Sequence, residues 1–109
     1  MEIYQIYNVT ISSEEKKIAS LSQATVIFDL SRIEVIVDEL PLSNENIGLL
    51  RLICDEAQKE LTIIGTTSDQ KILKITKAIL NSLTFCAEVG KPIHLKGVSI
   101  IGLQAEWSS

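Results

Sequence analysis

The segment Thr25-Val26-Ile27-Phe28-Asp29-Leu30 constrains the fold more than any other, because a nearly continuous apolar run of this length is the mark of a central strand buried on both faces. Its neighbours supply candidate cover. Residues Glu2 to Ile11 carry Ile3, Tyr4, Ile6, Tyr7, Val9 and Ile11, a β-branched and aromatic set that favours a strand with partial alternation. Ser12 with Glu15 three residues on forms a capping box, so Ser12-Ser13-Glu14-Glu15 predicts a short helix to about Leu21. From Glu34 to Leu40 the chain alternates, with Ile33, Val35 and Val37 on one side and Glu34, Ile36 and Asp38 on the other, until Pro41 stops it.

Ser43 is placed to cap a helix at about 44–58, with Ile47, Leu50, Ile53, Cys54 and Ala57 at helical spacing. Leu61-Thr62-Ile63-Ile64-Gly65 reads as the next strand. Ser68-Asp69 then opens a third helix, with Ile72, Ile75, Ile79 and Leu83 on one stripe and Lys71, Lys74, Lys77 and Asn81 on the polar face. After Gly90-Lys91-Pro92 the pattern returns to strands: Ile93 and Leu95, a Lys96-Gly97 turn, and a last strand from Val98 to Trp107 with a phase shift at Ile101-Gly102 that marks a bulge. This order predicts the α/β class: a single layered sheet with helices packed on it, parallel strands joined by right-handed crossovers, plus C-terminal strands.

With 109 residues, 46% hydrophobic and 22% charged, the chain reads as one globular domain over 1–109. A net charge of −4 leaves no basic stripe for phosphates, which argues against nucleic acid and anionic membrane surfaces as partners. No apolar stretch approaches the ~18 residues of a membrane helix, and Met1-Glu2-Ile3-Tyr4 has no signal pattern. A cytoplasmic location is expected, with Cys54 and Cys86 as buried, reduced thiols, since neither stands in CxxC spacing.

Catalysis needs groups that exchange protons, attack, or hold a metal. His94 is the only histidine, and no carboxylates or thiols stand at ligand spacing around it, so it reads as an ordinary strand residue. Cys54 falls on the apolar stripe of its helix. Gly65-Thr66-Thr67-Ser68-Asp69 lies where an anion could be cradled, yet it lacks the second glycine and the lysine of a P-loop, and a helix cap is the simpler reading. Asp29, Asp38 and Glu39 could gather at strand ends around a divalent cation, or stand as solvated loop carboxylates. No catalytic residue, metal or cofactor is assigned.

The segment Ala24 to Ile79 resembles the STAS domain family, the fold of bacterial anti-sigma factor antagonists and of the amino-terminal domain of the division inhibitor MinC. Val26-Ile27-Phe28-Asp29-Leu30-Ser31-Arg32-Ile33 is similar to that family's central strand and Leu-Ser turn. Ile47-Gly48-Leu49-Leu50-Arg51-Leu52 and Leu61-Thr62-Ile63-Ile64-Gly65-Thr66-Thr67 resemble its helix, strand and next helix start. Where the family has Asp followed by Ser or Thr and Gly, this chain has Asp38-Glu39-Leu40-Pro41-Leu42-Ser43, and Ser43 matches the regulatory phosphoserine by its place before the helix. The resemblance implies a non-enzymatic regulatory module that binds another protein through Asp38, Glu39, Ser43, Asn44, Glu45, Thr66 and Thr67, with Ser43 as the regulatory site. Two alternatives stand beside it: a small ligand- or metal-binding protein or enzyme using Asp29, Asp38 and the 65–69 loop, and a structural subunit forming a homodimer through its C-terminal strand.

Overall fold

In the computed structural model, which describes residues 1–54 and 59–109 and Cys54 by its backbone alone, two long strands open the chain, β1 (Glu2–Ser13) and β2 (Lys16–Phe28). They pair antiparallel from Glu2↔Phe28 to Ser13↔Lys16. Glu14 and Glu15 make the turn with φ of 52° and 65°, the two left-handed residues that a type I′ hairpin requires. The helix expected from Ser12 to about Leu21 is therefore strand. Ala19 and Leu21, then Ala24 and Val26, enter the core at strand spacing. Burying a Leu or Val side chain stabilises by about 1.5–3 kcal/mol, against about 1 kcal/mol for a helix cap, so the buried row outweighs the capping box.

β3 (Ile33–Pro41) returns along β2, paired from Phe28↔Ile33 to Thr25↔Ile36. The apolar run from Thr25 to Leu30 is not buried on both faces. Val26 is fully buried, Ile27 and Phe28 are half-buried, and Asp29 and Leu30 stand exposed in the turn before β3.

A turn over 43–47 leads into α1 (Gly48–Cys54), the one helix among the described residues and only seven residues long. Of the helix expected over 44–58, residues 44–47 form the turn instead and Gly48–Cys54 is helical, while 55–58 lie outside the described residues. β4 (Leu61–Thr66), β5 (Ile72–Cys86), β6 (His94–Gly102) and β7 (Gln104–Ser108) complete the chain. The helix expected from Ser68 to Leu83 is β5. Of its stripe, Ile75 is fully buried while Ile72 and Ile79 are exposed, so those residues do not share a face.

Every strand pairing is antiparallel, and β4 pairs both β1 and β5, which closes β1-β2-β3-β6-β5-β4 into a six-stranded barrel. This overturns the layered α/β class, the parallel strands with crossovers, and the STAS-like resemblance with its α/β description. The physical difference is how the apolar face is covered. A layered sheet needs helices over it, whereas a closed sheet buries its inner face against itself. Ile6, Ile11, Ile63, Leu73, Ile75, Leu95 and Ile100 fill that interior. α1 packs on β2 and inserts Leu49, fully buried, into the same core.

The long strands bend where the inward row skips a residue. In β1 it steps from Ile6 to Val9 across Asn8, with φ 52°, and in β5 from Ile75 to Ala78 across Lys77, with φ 53°. The last strand is interrupted at the exposed Leu103, one residue past the expected phase shift, and β7 beyond it pairs with β5 from Thr76↔Gln104 to Ile72↔Ser108. No helix among the described residues is long and apolar enough to cross a membrane.

Candidate functional site

β1 is paired to β2 along its whole length, but to β4 only between Ser12↔Thr62 and Tyr7↔Thr66. Below Tyr7 the β4–β5 hairpin turns away. Residues Glu2–Ile6 therefore keep one edge without a strand partner among the described residues. In the turn, the Thr67 N–H donates to the Lys71 carbonyl at 2.8 Å, the Gln70 N–H to the Thr67 carbonyl at 3.0 Å, and Gln70 takes φ 69°. That is a type I turn closed by one left-handed residue, a common way to end a hairpin. No helix follows Ser68, so the helix-cap reading of 65–69 is replaced by this turn.

The Thr67 hydroxyl donates to the Asp69 carboxylate, and the Lys71 N–H donates to the Thr67 oxygen at 3.1 Å. The Thr67 hydrogen bond is the main force holding Asp69 below the usual aspartate range, with Lys71 adding to it. Lys71 Nζ lies 3.8 Å from Asp69 Oδ2, and both side chains are largely exposed. Screening by water makes that ion pair weak.

Between the open edge of β1 and this turn lies a cleft of about 810 Å³, lined by Ile3, Tyr4 and Gln5 on one side, Thr67 to Asp69 and Lys71 on the other, and Trp107 with the end of β7. Tyr4 and Trp107 in that lining belong to a cluster of three rings with Phe28. Tyr4 meets Trp107 edge-on at 5.1 Å and Phe28 at 5.6 Å, while Phe28 and Trp107 stack at 6.3 Å with 25° between their planes. Such pairs contribute about 0.5–1.5 kcal/mol each beyond their burial. They tie β7 to the β1–β2 hairpin across the gap. Trp107 nonetheless stays 43% exposed, which leaves part of its surface free for contact. The Tyr4 hydroxyl donates to Glu2, and that hydrogen bond raises the phenol further above its ordinary value, keeping it a donor.

The residues expected to form the partner surface fall into two groups. Asp38 and Glu39 stand exposed on β3, and Ser43, Asn44 and Glu45 occupy the turn before α1. There the Ser43 oxygen accepts the Glu45 N–H at 3.2 Å, Asn46 accepts the Ser43 N–H at 2.9 Å, and the Glu45 carbonyl accepts the Ser20 N–H at 2.8 Å. Thr66 ends β4 and Thr67 is buried in the hairpin turn. β3 and β4 stand opposite each other in the ring, and β3 finishes toward the end from which β4 sets out. The fold therefore separates Thr66 and Thr67 from the other five.

Asp29 accepts the Leu30 N–H at 2.7 Å in the β2–β3 turn, whereas Asp38 lies along β3. Among the described residues no three His, Cys, Asp or Glu side chains gather as metal ligands. His94 begins β6, with Nε2 3.4 Å from Glu39 Oε1. Cys86 is a free, half-buried thiol, and the Cys54 side chain lies outside the described residues. Sequence reasoning missed Tyr4 and Trp107. The chain's lone tryptophan, five residues past Gly102, was the available signal. Comparison with protein-family models, curated proteins and solved structures gives no match, so the site rests on its own geometry.

Proposed function

We propose that the chain is a non-catalytic interaction module that takes an extended segment of another protein along the open edge of β1. The observation that carries this reading is the early end of the β1–β4 ladder at Tyr7↔Thr66, while β1 stays paired to β2 as far as Glu2↔Phe28. An unpaired edge holds N–H and C=O groups ready for a further strand, and strand addition is a general mode of peptide recognition. The cleft beside it, at about 810 Å³, lies in the size range of ligand sites and admits a short single strand. A second copy of the chain is a poorer occupant, because its β1 would bring its paired β2 into the same gap.

On this reading the chain works in the cytoplasm, where a free thiol such as Cys86 stays reduced. Phosphorylation of the exposed Ser43 would act on a second contact of the partner at the other end of the barrel and leave the cleft unchanged.

The test is a titration of the isotope-labelled full chain with an acetylated, amidated heptapeptide, Thr-Val-Thr-Val-Thr-Val-Thr, followed by backbone amide shifts. Strand addition moves the amides of 2–6, 67–71 and Trp107, and alternate N-methylation of the peptide abolishes the effect. Shifts centred on 38–45, or no shifts at millimolar peptide, would overturn the reading.

A further inference from the structure

The open edge of β1 is stopped at one end. β4 leaves β1 at Tyr7↔Thr66, and Thr67 stands one Cα step, about 3.8 Å, further along the same line. The turn that follows closes the head of the cleft, whose lining includes Thr67, Ser68 and Asp69 and reaches along β1 only from Ile3 to Gln5. Ile6 is fully buried. The stop is backbone held in place: the Thr67 N–H donates to the Lys71 carbonyl at 2.8 Å, the Gln70 N–H to the Thr67 carbonyl at 3.0 Å, and the Lys71 N–H to the Thr67 hydroxyl oxygen at 3.1 Å. Thr67 is 8% exposed, so it does not swing aside as a surface side chain would. The lining holds no second turn; its remaining residues belong to β1 and to the stretch 107–109.

We infer that the partner enters by an amino terminus, with its first residue against the Thr67 turn and the next ones running outward past Gln5, Tyr4, Ile3 and Glu2. This rests on the strand-addition reading and specifies the partner within it. Direction follows from β1. An added strand antiparallel to β1 continues the line and the direction of β4, and so meets the same alternation of N–H and C=O groups that β1 offers β4 from Ser12 to Tyr7. The other pairings of the barrel are antiparallel as well, and antiparallel pairs are slightly the more stable per residue. In that direction the end that meets the turn is the amino end. An internal stretch of chain would need a further residue on that side, along the line that Thr67 already holds. A terminus has none. Asp69 and Lys71 pair with each other, so the selection is by space and not by charge.

The experiment compares three acetylated, amidated and uncharged peptides: Thr-Val-Thr-Val-Thr-Val-Thr, the same peptide with four prolines before it, and the same with four prolines after it. A proline run is extended and semi-rigid, so it does not fold back out of the line. Affinity is read from the amide shifts of Ile3, Tyr4 and Gln5 in the full chain. The expected result is that the leading prolines weaken binding at least tenfold while the trailing ones change it less than threefold. If the leading prolines cost less than tenfold, an internal segment is accepted and the inference is wrong, while strand addition stands. If the trailing prolines cost more than threefold, the direction or the open end is wrong, and strand addition again stands. If none of the three peptides binds, both fall.

Discussion

A methyl group on Gly48 would stand 2.2 Å from the carbonyl oxygen of Ile18, so α1 reaches β2 at a point where only glycine fits. Because the obstruction is backbone, no rotamer change relieves it. Gly48→Ala should lift α1 and uncover Leu49, which is fully buried, at a cost of about 2–3 kcal/mol. Thermal unfolding measures it as a fall of roughly 8–20 °C for a domain of this size. Gly97→Ala serves as the control: nothing lies within 4 Å of its added carbon, and only its φ of +59° is unfavourable, for about 1 kcal/mol. A Gly48→Ala loss no larger than the Gly97→Ala loss would mean that α1 does not dock there.

The Glu14-Glu15 turn carries two left-handed residues that are not glycine or asparagine. The double substitution Glu14→Asn with Glu15→Gly installs the pair a type I′ turn favours, and it should raise stability by about 1 kcal/mol through relief of backbone strain. In a helix running from Ser12 the same glycine would lower stability by a similar amount. The sign of the change in melting temperature separates hairpin from helix.

The Ser43 hydroxyl contributes to the turn before α1 by accepting one hydrogen bond, from the Glu45 N–H. Ser43→Ala should cost about 1 kcal/mol, and Ser43→Asp, which keeps an acceptor, less. Neither should change heptapeptide affinity, since the turn and the cleft lie at opposite ends of the barrel. A tenfold loss of affinity in Ser43→Asp alone would instead move the binding surface to the Asp38–Glu45 region.

Much of the strand content was legible. The alternation of Ile33, Val35 and Val37 marks β3, and Leu61 to Gly65 lies within β4. The chain from Ile93 to Trp107 spans β6 and β7, which pair within the molecule with β3 and β5. What misled was the bent strands. A skip such as Ile75 to Ala78 across Lys77, or Leu21 to Ala24 opposite Asn8, spaces inward residues by three, and a three-residue step is also what a helix face shows. Closure could not be read at all, because it depends on the pairing of Leu61–Thr66 with β1, which lies far away in the chain. The cleft follows the same pattern. Asp69 stands out in its loop, but Tyr4 and Trp107 are separated by nearly the whole sequence and meet only through closure.

Amide hydrogen exchange on the free chain, residue by residue along β1, tests the open edge most directly. Within Val9–Ser12, amides pointing either way find a partner in β2 or β4, so they should be protected up to the global stability. Between Ile3 and Ile6, alternate amides point away from β2 and should exchange nearly as fast as an unstructured peptide. Adding the Thr-Val-Thr-Val-Thr-Val-Thr peptide should slow those same amides and leave Val9–Ser12 unchanged. If the outward amides of Ile3–Ile6 are as protected in the free chain as those of Val9–Ser12, the edge is already paired and there is no strand site.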